Sequence, residues 1–429
     1  MTLGAAGAAR PTPPPPGVRV VLDVRPLQDP ERAPVTAAVL GALLAAFDAH
    51  PIDGESFAFL LRSDLDDPTA DLHKLEVIGR RQLPPTSLLR SAAQTVDPFL
   101  LRGASLGAAW RAERGGAYGA VYHLVGSGSL PIASGLPVVV TLLDLAPWEL
   151  PGAFGGGAAA RFGRRLRTQQ LREADAVIVG TETVARAARR RLRLHEDRIR
   201  VIPLAPRPGF AATGPDTART PDAATDDVTA AGLRTGRYLV YPGRYDIRQD
   251  LATLLRALSR LGAAGRPRGL APDAPWPPRV LFAGATPDDR ASLARAAARE
   301  GVGESIAYMP PLPIERLAAV LRSARAALLP VVSDATGLAA IESIATGTPV
   351  IASAVGALPE LVGPAGVLVP PGDVDRLAVA LRTVWADDAM RDRVAAAARE
   401  RATWDRRTWA DVADETRRVY AEVGRWRER

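Results

Sequence analysis

Short apolar runs alternate with stretches of helical spacing along most of the chain. "GVRVVLDVRPL" reads as a buried strand. "TAAVLGALLAAFDAH" follows as a helix, with Val39, Leu43, Leu44 and Phe47 on one face. "GAVYHLVG", "LPVVVTLLDL", "ADAVIVGTET" and "RIRVIPLAP" predict further strands, and an arginine-rich helix, "AAARFGRRLRTQQLREA", lies among them. A second series begins at "RYLVYPGRYDI". It runs through helix "DLATLLRALSRL", strand "PRVLFAG", helix "DRASLARAAAREG", strand "SIAYMP", helix "IERLAAVLRSA", strand "AALLPV", strand "PVIAS" and helix "VDRLAVALRTVWA". Strands alternating with helices predict parallel sheets covered on both faces. Two such series predict an α/β protein of two Rossmann-like domains facing an interdomain cleft, with ligands at the carboxyl ends of the strands. The expected division is a flexible tail over 1–17, a first domain over 18–205, and a linker or disordered loop over 206–236. A second domain over 237–403 and a final helix over 404–429 complete it.

Composition narrows this picture. Apolar residues make up 47% of the 429 residues, enough for buried cores. No apolar run has membrane-spanning length. The Ala/Pro-rich start lacks the apolar core of a signal peptide, so a cytoplasmic location is expected. The chain has no cysteine, which excludes disulfides and thiolate chemistry. Its net charge is +7, carried almost wholly by arginine, and Lys74 is its one lysine. The arginine runs near 161–172 and 186–193 suit either a solvated helix face or peripheral contact with an anionic membrane at the inner face. Nucleic acid is not an expected partner.

The candidate chemistry centres on "SDATGLAAIESIATGTPVIAS", residues 333–353. Gly337 lets a ligand approach the backbone closely. A helix starting near Leu338 would point its first amides at the turn, which suits a diphosphate. Glu342 stands one turn deeper on the same face, where a carboxylate can accept bonds from ribose hydroxyls. Asp334, ahead of the glycine, can reach the hydroxyls of a sugar. In "YPGRYDIRQDL", Gly243 and Arg244 follow a strand directly, and Arg248 adds a second cation able to clamp phosphate oxygens. The bland alternatives are a capped helix with a solvated glutamate and a loop of surface arginines.

These stretches resemble family-4 (group 1) retaining glycosyltransferases of the GT-B fold. "PGRYDIRQD" is similar to the family's Gly-Arg turn, which has a nearby lysine. "DATGLAAIESIATGTPVIAS" is similar to its paired-acid element and Gly-x-Pro-Val strand. "ALPELVGPAGVLVPPGDVDRLAVAL" resembles the segment after it. "LDVRPLQDP", "VVVTLLDLAPWELP", "ADAVIVGTETVARAARRRLRLHEDRIRVIPLAP" and "WADVADETRRVYAEV" resemble the opening strand, the Thr-x-His-Asp-Leu strand, the helix with its linker strand, and the last helix that crosses back. The resemblance implies transfer of a sugar from a nucleotide-sugar donor to a glycan or lipid-linked acceptor, with retention and without a required metal or other cofactor. Glu342 would then hold the ribose. The Gly337 and Leu338 amides, Gly243 and Arg244 would hold the diphosphate, and Asp334 would touch the donor sugar. His123 and Asp144 are candidates for the acceptor side.

The chain also departs from the family. Gln249 stands where the family has its diphosphate lysine, and Arg248 is the nearest replacement. Asp334 replaces a glutamate, and Leu143 replaces the histidine before Asp144. "PERAPVTAA" lacks the glycine-rich loop, and Pro310 removes an amide. These departures leave open a degenerate protein that binds a nucleotide sugar or a partner enzyme without turnover. "DVD" at Asp373–Asp375 precedes an amphipathic helix and reads as a helix cap, not a metal motif. No metal-ligand spacing occurs.

Overall fold

The alternation resolves into two parallel sheets in a computed structural model. It describes residues 17–84, 119–128, 130–131, 135–155, 157–210, 222–243, 245–404 and 406–424. Residues 1–16 of the expected tail, 211–221 of the expected linker, Arg244 and residues 425–429 lie outside the described residues. The first sheet holds β1 (Arg19–Asp23), β2 (Ser56–Arg62), β3 (Val77–Leu83), β4 (Ala120–Val125), β5 (Val138–Thr141), β6 (Ala176–Val179) and β7 (Ile199–Val201). Their order is β3-β2-β1-β4-β5-β6-β7. The second sheet holds β8 (Leu239–Pro242), β9 (Val280–Ala283), β10 (Ile306–Met309), β11 (Ala326–Leu329), β12 (Val350–Ser353) and β13 (Gly366–Val369), in the order β10-β9-β8-β11-β12-β13.

The second sheet shows why its strands read as unbroken apolar runs. Successive residues of a strand face opposite sides. Val240, Leu281, Ala327, Leu329 and Val350 pack with helices Ile314–Ser323 and Leu338–Ala345 on one face. Leu239, Tyr241, Phe282, Leu328 and Ile351 pack with helices Leu251–Ala263 and Val374–Ala386 on the other. With both faces covered, no position on these strands is left for polar alternation. The last of these helices is capped by Asp373, whose side chain accepts from the Arg376 amide, as expected for "DVD". Chain order reverses between β8 and β11, so their carboxyl ends are the switch point where ligands bind in open α/β sheets.

Some elements were not foreseen. Strand β2, "SFAFLLR", is apolar and buried over most of its length. Strand β3, "VIGRRQL", is exposed over most of its length, since an edge strand needs no apolar pattern. Helix Asp388–Trp404 packs through the small residues Ala395 and Ala398, beside Val394, and so lacks a broad apolar stripe. Within the expected linker, residues Asp222–Ala230 form a helix.

Contacts divide the chain into two compact units. One lies within Met1–Val140, Ala174–Ala176 and Ala410–Arg429, and the other within Thr141–Glu173 and Val177–Trp409. In the first unit, helix Trp409–Val423 buries Arg417 against Glu55, with Nη2 to Oε2 at 2.7 Å, and over the Phe47 ring. In the second unit, residues 141–173 and 177–205, expected within the first domain, group with the second sheet. Asp144 bonds Arg248, Glu149 accepts from Ser333, and the Thr183 amide at the start of helix Glu182–Leu192 donates to Glu360, all within this unit.

Candidate functional site

At the carboxyl end of β8 the chain turns at Gly243, whose amide bonds the Ala283 carbonyl. The loop that follows runs beside the exit of β11. Gln249 forms an antiparallel bridge with Val331, the Val332 amide donates to the Arg248 carbonyl at 2.7 Å, and the Asp250 amide donates to Pro330. Gln249 also closes the loop through its side chain, which accepts from the Asp246 amide at 2.6 Å and reaches the buried Tyr241. These bonds carry Arg248 to the turn that holds Asp334. The Arg248 guanidinium is held between Asp144 (Nη2 to Oδ2, 2.5 Å) and Asp246 (Nη1 to Oδ2, 2.7 Å), with the Phe154 ring 5.6 Å away.

The turn after β11 is built by its own side chains. Asp334 Oδ1 accepts from the Gly337 amide at 2.8 Å, the Thr336 amide at 2.9 Å and the Thr336 hydroxyl at 3.1 Å. Burial raises the Asp334 carboxyl above the usual range, and these donors pull against it. Gly337 has φ of 60°, and a Cβ there would lie 2.2 Å from Leu361. Gly356 closes in from the other side, where a Cβ would fall 1.7 Å from the Asp334 carbonyl. Helix Leu338–Ala345 starts at the expected residue with Gly337 at its cap position. The Gly337 amide is taken by Asp334, and the Leu338 amide donates to Thr336 Oγ1 at 3.4 Å. Both amides expected at a diphosphate thus already have partners in the turn, and the Ala339 and Ala340 amides are the first-turn donors left without an intrahelical partner.

Glu342 lies in that helix with its carboxylate 7% exposed. Both oxygens are taken by Arg207, with Nε to Oε1 at 2.5 Å and Nη2 to Oε2 at 3.0 Å. Burial raises the Glu342 pKa, and Arg207 opposes the rise. Ser333 donates to Glu149 Oε2 at 2.6 Å, and Asp144 Oδ1 accepts the Ala146 amide at 2.8 Å. Glu360 accepts the Glu182 and Thr183 amides at the start of the Glu182–Leu192 helix.

Of the residues singled out in the sequence, Gly243, Arg248, Gln249, Asp334, Gly337, Leu338, Glu342 and Asp144 all lie in the second compact unit. Arg244 lies outside the described residues. His123 belongs to the first unit. It sits inside β4 and not at its end, is fully buried, and has Nδ1 2.6 Å from Tyr420 Oη. Burial pushes its pKa down to about 3, which keeps the ring neutral. Sequence reasoning missed Arg207, Glu149, Ser333, Glu360 and Gly356. The lone glycine after the "PVIAS" strand was the available signal for Gly356, and no local pattern marked the others.

Two parallel sheets, the second with a glycine turn, a helix start and Arg248 at its switch point, have the architecture of the GT-B fold. Residues 76–205 match the model of glycosyltransferase family 4, and residues 236–387 match that of group 1 glycosyl transferases. The chain belongs to the family-4, group 1 glycosyltransferases. It is 39% identical over 145 residues to a D-inositol 3-phosphate glycosyltransferase of Nocardioides sp., covering 32% of this chain and 31% of that one. It is 29% identical over 297 residues to the protein of that name from Corynebacterium diphtheriae, covering 67% and 66%. The chain thus matches 31% and 66% of the length of these two curated relatives. Among solved structures, Anabaena HepE in complex with UDP-glucose superposes with a TM-score of 0.66 at 14% identity, covering 94% of this chain and 99% of that one.

Proposed function

We propose that this protein moves a sugar from a nucleotide-sugar donor to a glycan or lipid-linked acceptor, with retention of configuration and without a metal. The observation that carries the reading is the switch point of the second sheet. There the start of helix Leu338–Ala345, a glycine turn and Arg248 converge beside the buried Glu342. Helix amides and Arg248 supply positive charge where a departing nucleoside diphosphate gains negative charge. Asp334 Oδ1 is spent on the turn, which leaves Oδ2 for a hydroxyl of the donor sugar. Glu342 receives the ribose hydroxyls by exchanging or sharing its bonds to Arg207. The solved neighbour with UDP-glucose supports a nucleotide sugar as the donor.

A second reading, binding without turnover, is favoured by one observation. Gln249 is committed to closing its loop, and Arg248 already bonds two carboxylates, so the diphosphate side has no free ammonium. The test is calorimetry with UDP-, GDP- and dTDP-sugars, followed by donor turnover with and without EDTA. Binding that is weakened in Glu342→Gln, with EDTA-resistant turnover, supports the enzyme. Binding without turnover supports the second reading. No binding of any nucleotide refutes both.

A further inference from the structure

We propose that Arg207 is a specificity-determining residue of the donor site: it occupies most of the acceptor capacity of Glu342, so that sugars on 2′-deoxynucleoside diphosphates bind as well as those on ribonucleoside diphosphates. The inference rests on the transferase reading and names the donor class of that same site.

An ionised carboxylate offers about four lone-pair positions to hydrogen-bond donors, and two vicinal ribose hydroxyls need two of them. Arg207 Nε donates to Glu342 Oε1 at 2.5 Å and Nη2 to Oε2 at 3.0 Å, so each oxygen is already engaged. The Arg207 backbone amide supplies a third donor to the same carboxylate. About one position is then left, enough for a single hydroxyl. Either ribose hydroxyl fills it, and loss of the other removes no bond. The hydroxyl that does bond meets a carboxylate whose charge the guanidinium balances. Such a bond discriminates less than one to an unpaired charge.

The pair is built into the fold. Glu342 is 7% exposed and Arg207 21%. The chain is fixed on both sides of Arg207. The Trp409 indole donates to the Pro206 carbonyl at 3.1 Å. Phe210 lies in one buried cluster with Ala340 and Ile344, which stand on either side of Glu342 in its helix. The Arg207 guanidinium itself rests 5.2 Å from the Phe210 ring. Displacing it would leave Glu342 as a buried charge without its partner, an outcome that two hydroxyls cannot offset. An arriving nucleotide therefore shares the carboxylate with Arg207. Residues 207, 342 and 409 all belong to the second compact unit, so this arrangement is complete within it.

The test is calorimetry at pH 8 on the full chain with UDP and 2′-deoxy-UDP, which differ by one hydroxyl. The proteins are wild type, Arg207→Met and Arg207→Lys. In wild type the two affinities should agree within about threefold, since no bond is lost with the 2′-hydroxyl. In Arg207→Met the freed carboxylate takes both hydroxyls, so UDP should bind roughly tenfold or more tightly than its deoxy analogue. Arg207→Lys keeps the cation but loses the fork, and its ratio should lie between the two. It carries the comparison if the methionine variant does not fold. A merely structural role for Arg207 would move both affinities together and leave their ratio unchanged, which overturns the proposal. A tenfold preference for UDP in wild type also overturns it, while leaving the transferase reading in place. Failure of wild type to bind either nucleotide removes the transferase reading and this inference with it.

Discussion

Replacing Arg207 with methionine isolates the pair at the centre of the candidate donor site. Met keeps much of the side chain's length and removes the cation. Glu342 would be left 7% exposed with neither carboxylate oxygen partnered by a guanidinium. Breaking a buried pair by removing one partner costs about 3–5 kcal/mol. Arg207 is 21% exposed, so water reaches the vacated space and the low end, about 3 kcal/mol at pH 7.5, is expected. The variant also acquires a pH dependence of known sign. Burial already raises the Glu342 pKa above its ordinary value, and losing Arg207 raises it further. Between the unfolded and folded values the folded state binds more protons, so stability falls as pH rises through that window. Urea unfolding of Arg207→Met should show a larger deficit at pH 7.5 than at pH 5. In Arg207→Met/Glu342→Leu, which removes the stranded charge, most of the loss at pH 7.5 should be recovered. A loss below about 0.5 kcal/mol with the pH profile of the wild type would refute the pairing and free Glu342 for another role.

Gln249→Lys removes the bond to the Asp246 amide, at about 1 kcal/mol of stability, and adds an ammonium beside Arg248. Turnover should rise by about 10²–10³ with the best donor sugar; unchanged or slower turnover shows that Arg248 and the helix amides suffice. Gly337→Ala forces a side chain into positive φ and against Leu361, so unfolding free energy should drop by about 1–3 kcal/mol and nucleotide affinity should fall with it. A variant as stable as wild type would mean that the turn relaxes freely. His123 is held neutral by burial, with its pKa lowered to about 3. Below pH 6.5 the unfolded chain binds a proton the folded one does not, so this group should cost stability as pH falls, by up to about 1.4 kcal/mol per pH unit. His123→Asn should be less stable overall yet lack that slope in urea midpoints compared at pH 7 and pH 5; equal slopes would assign the acid sensitivity elsewhere.

The α/β class, the position of most buried strands and the turn-to-helix element at 334–342 are legible in the linear order of residues. A strand covered on both faces must be apolar throughout, and a glycine at positive φ before a helix is a local requirement that composition displays. The start of the helix at Leu338 and the Asp373 cap follow from neighbouring residues alone, so they were legible. Edge strand β3 was not, because its exposed residues carry no period. The partners of the site's charges were decided by tertiary structure. Arg207 is far along the chain from Glu342, and Asp144 is equally remote from Arg248. Nothing local records which guanidinium a buried carboxylate will meet, because that choice depends on loops from separate elements arriving at one place. The same holds for His123. Its strand was visible in the sequence, but its burial against Tyr420 depends on a helix from the far end of the chain packing over β4. A charge or ring is assigned its environment by packing, and packing is a property of contacts between segments that the linear order keeps apart.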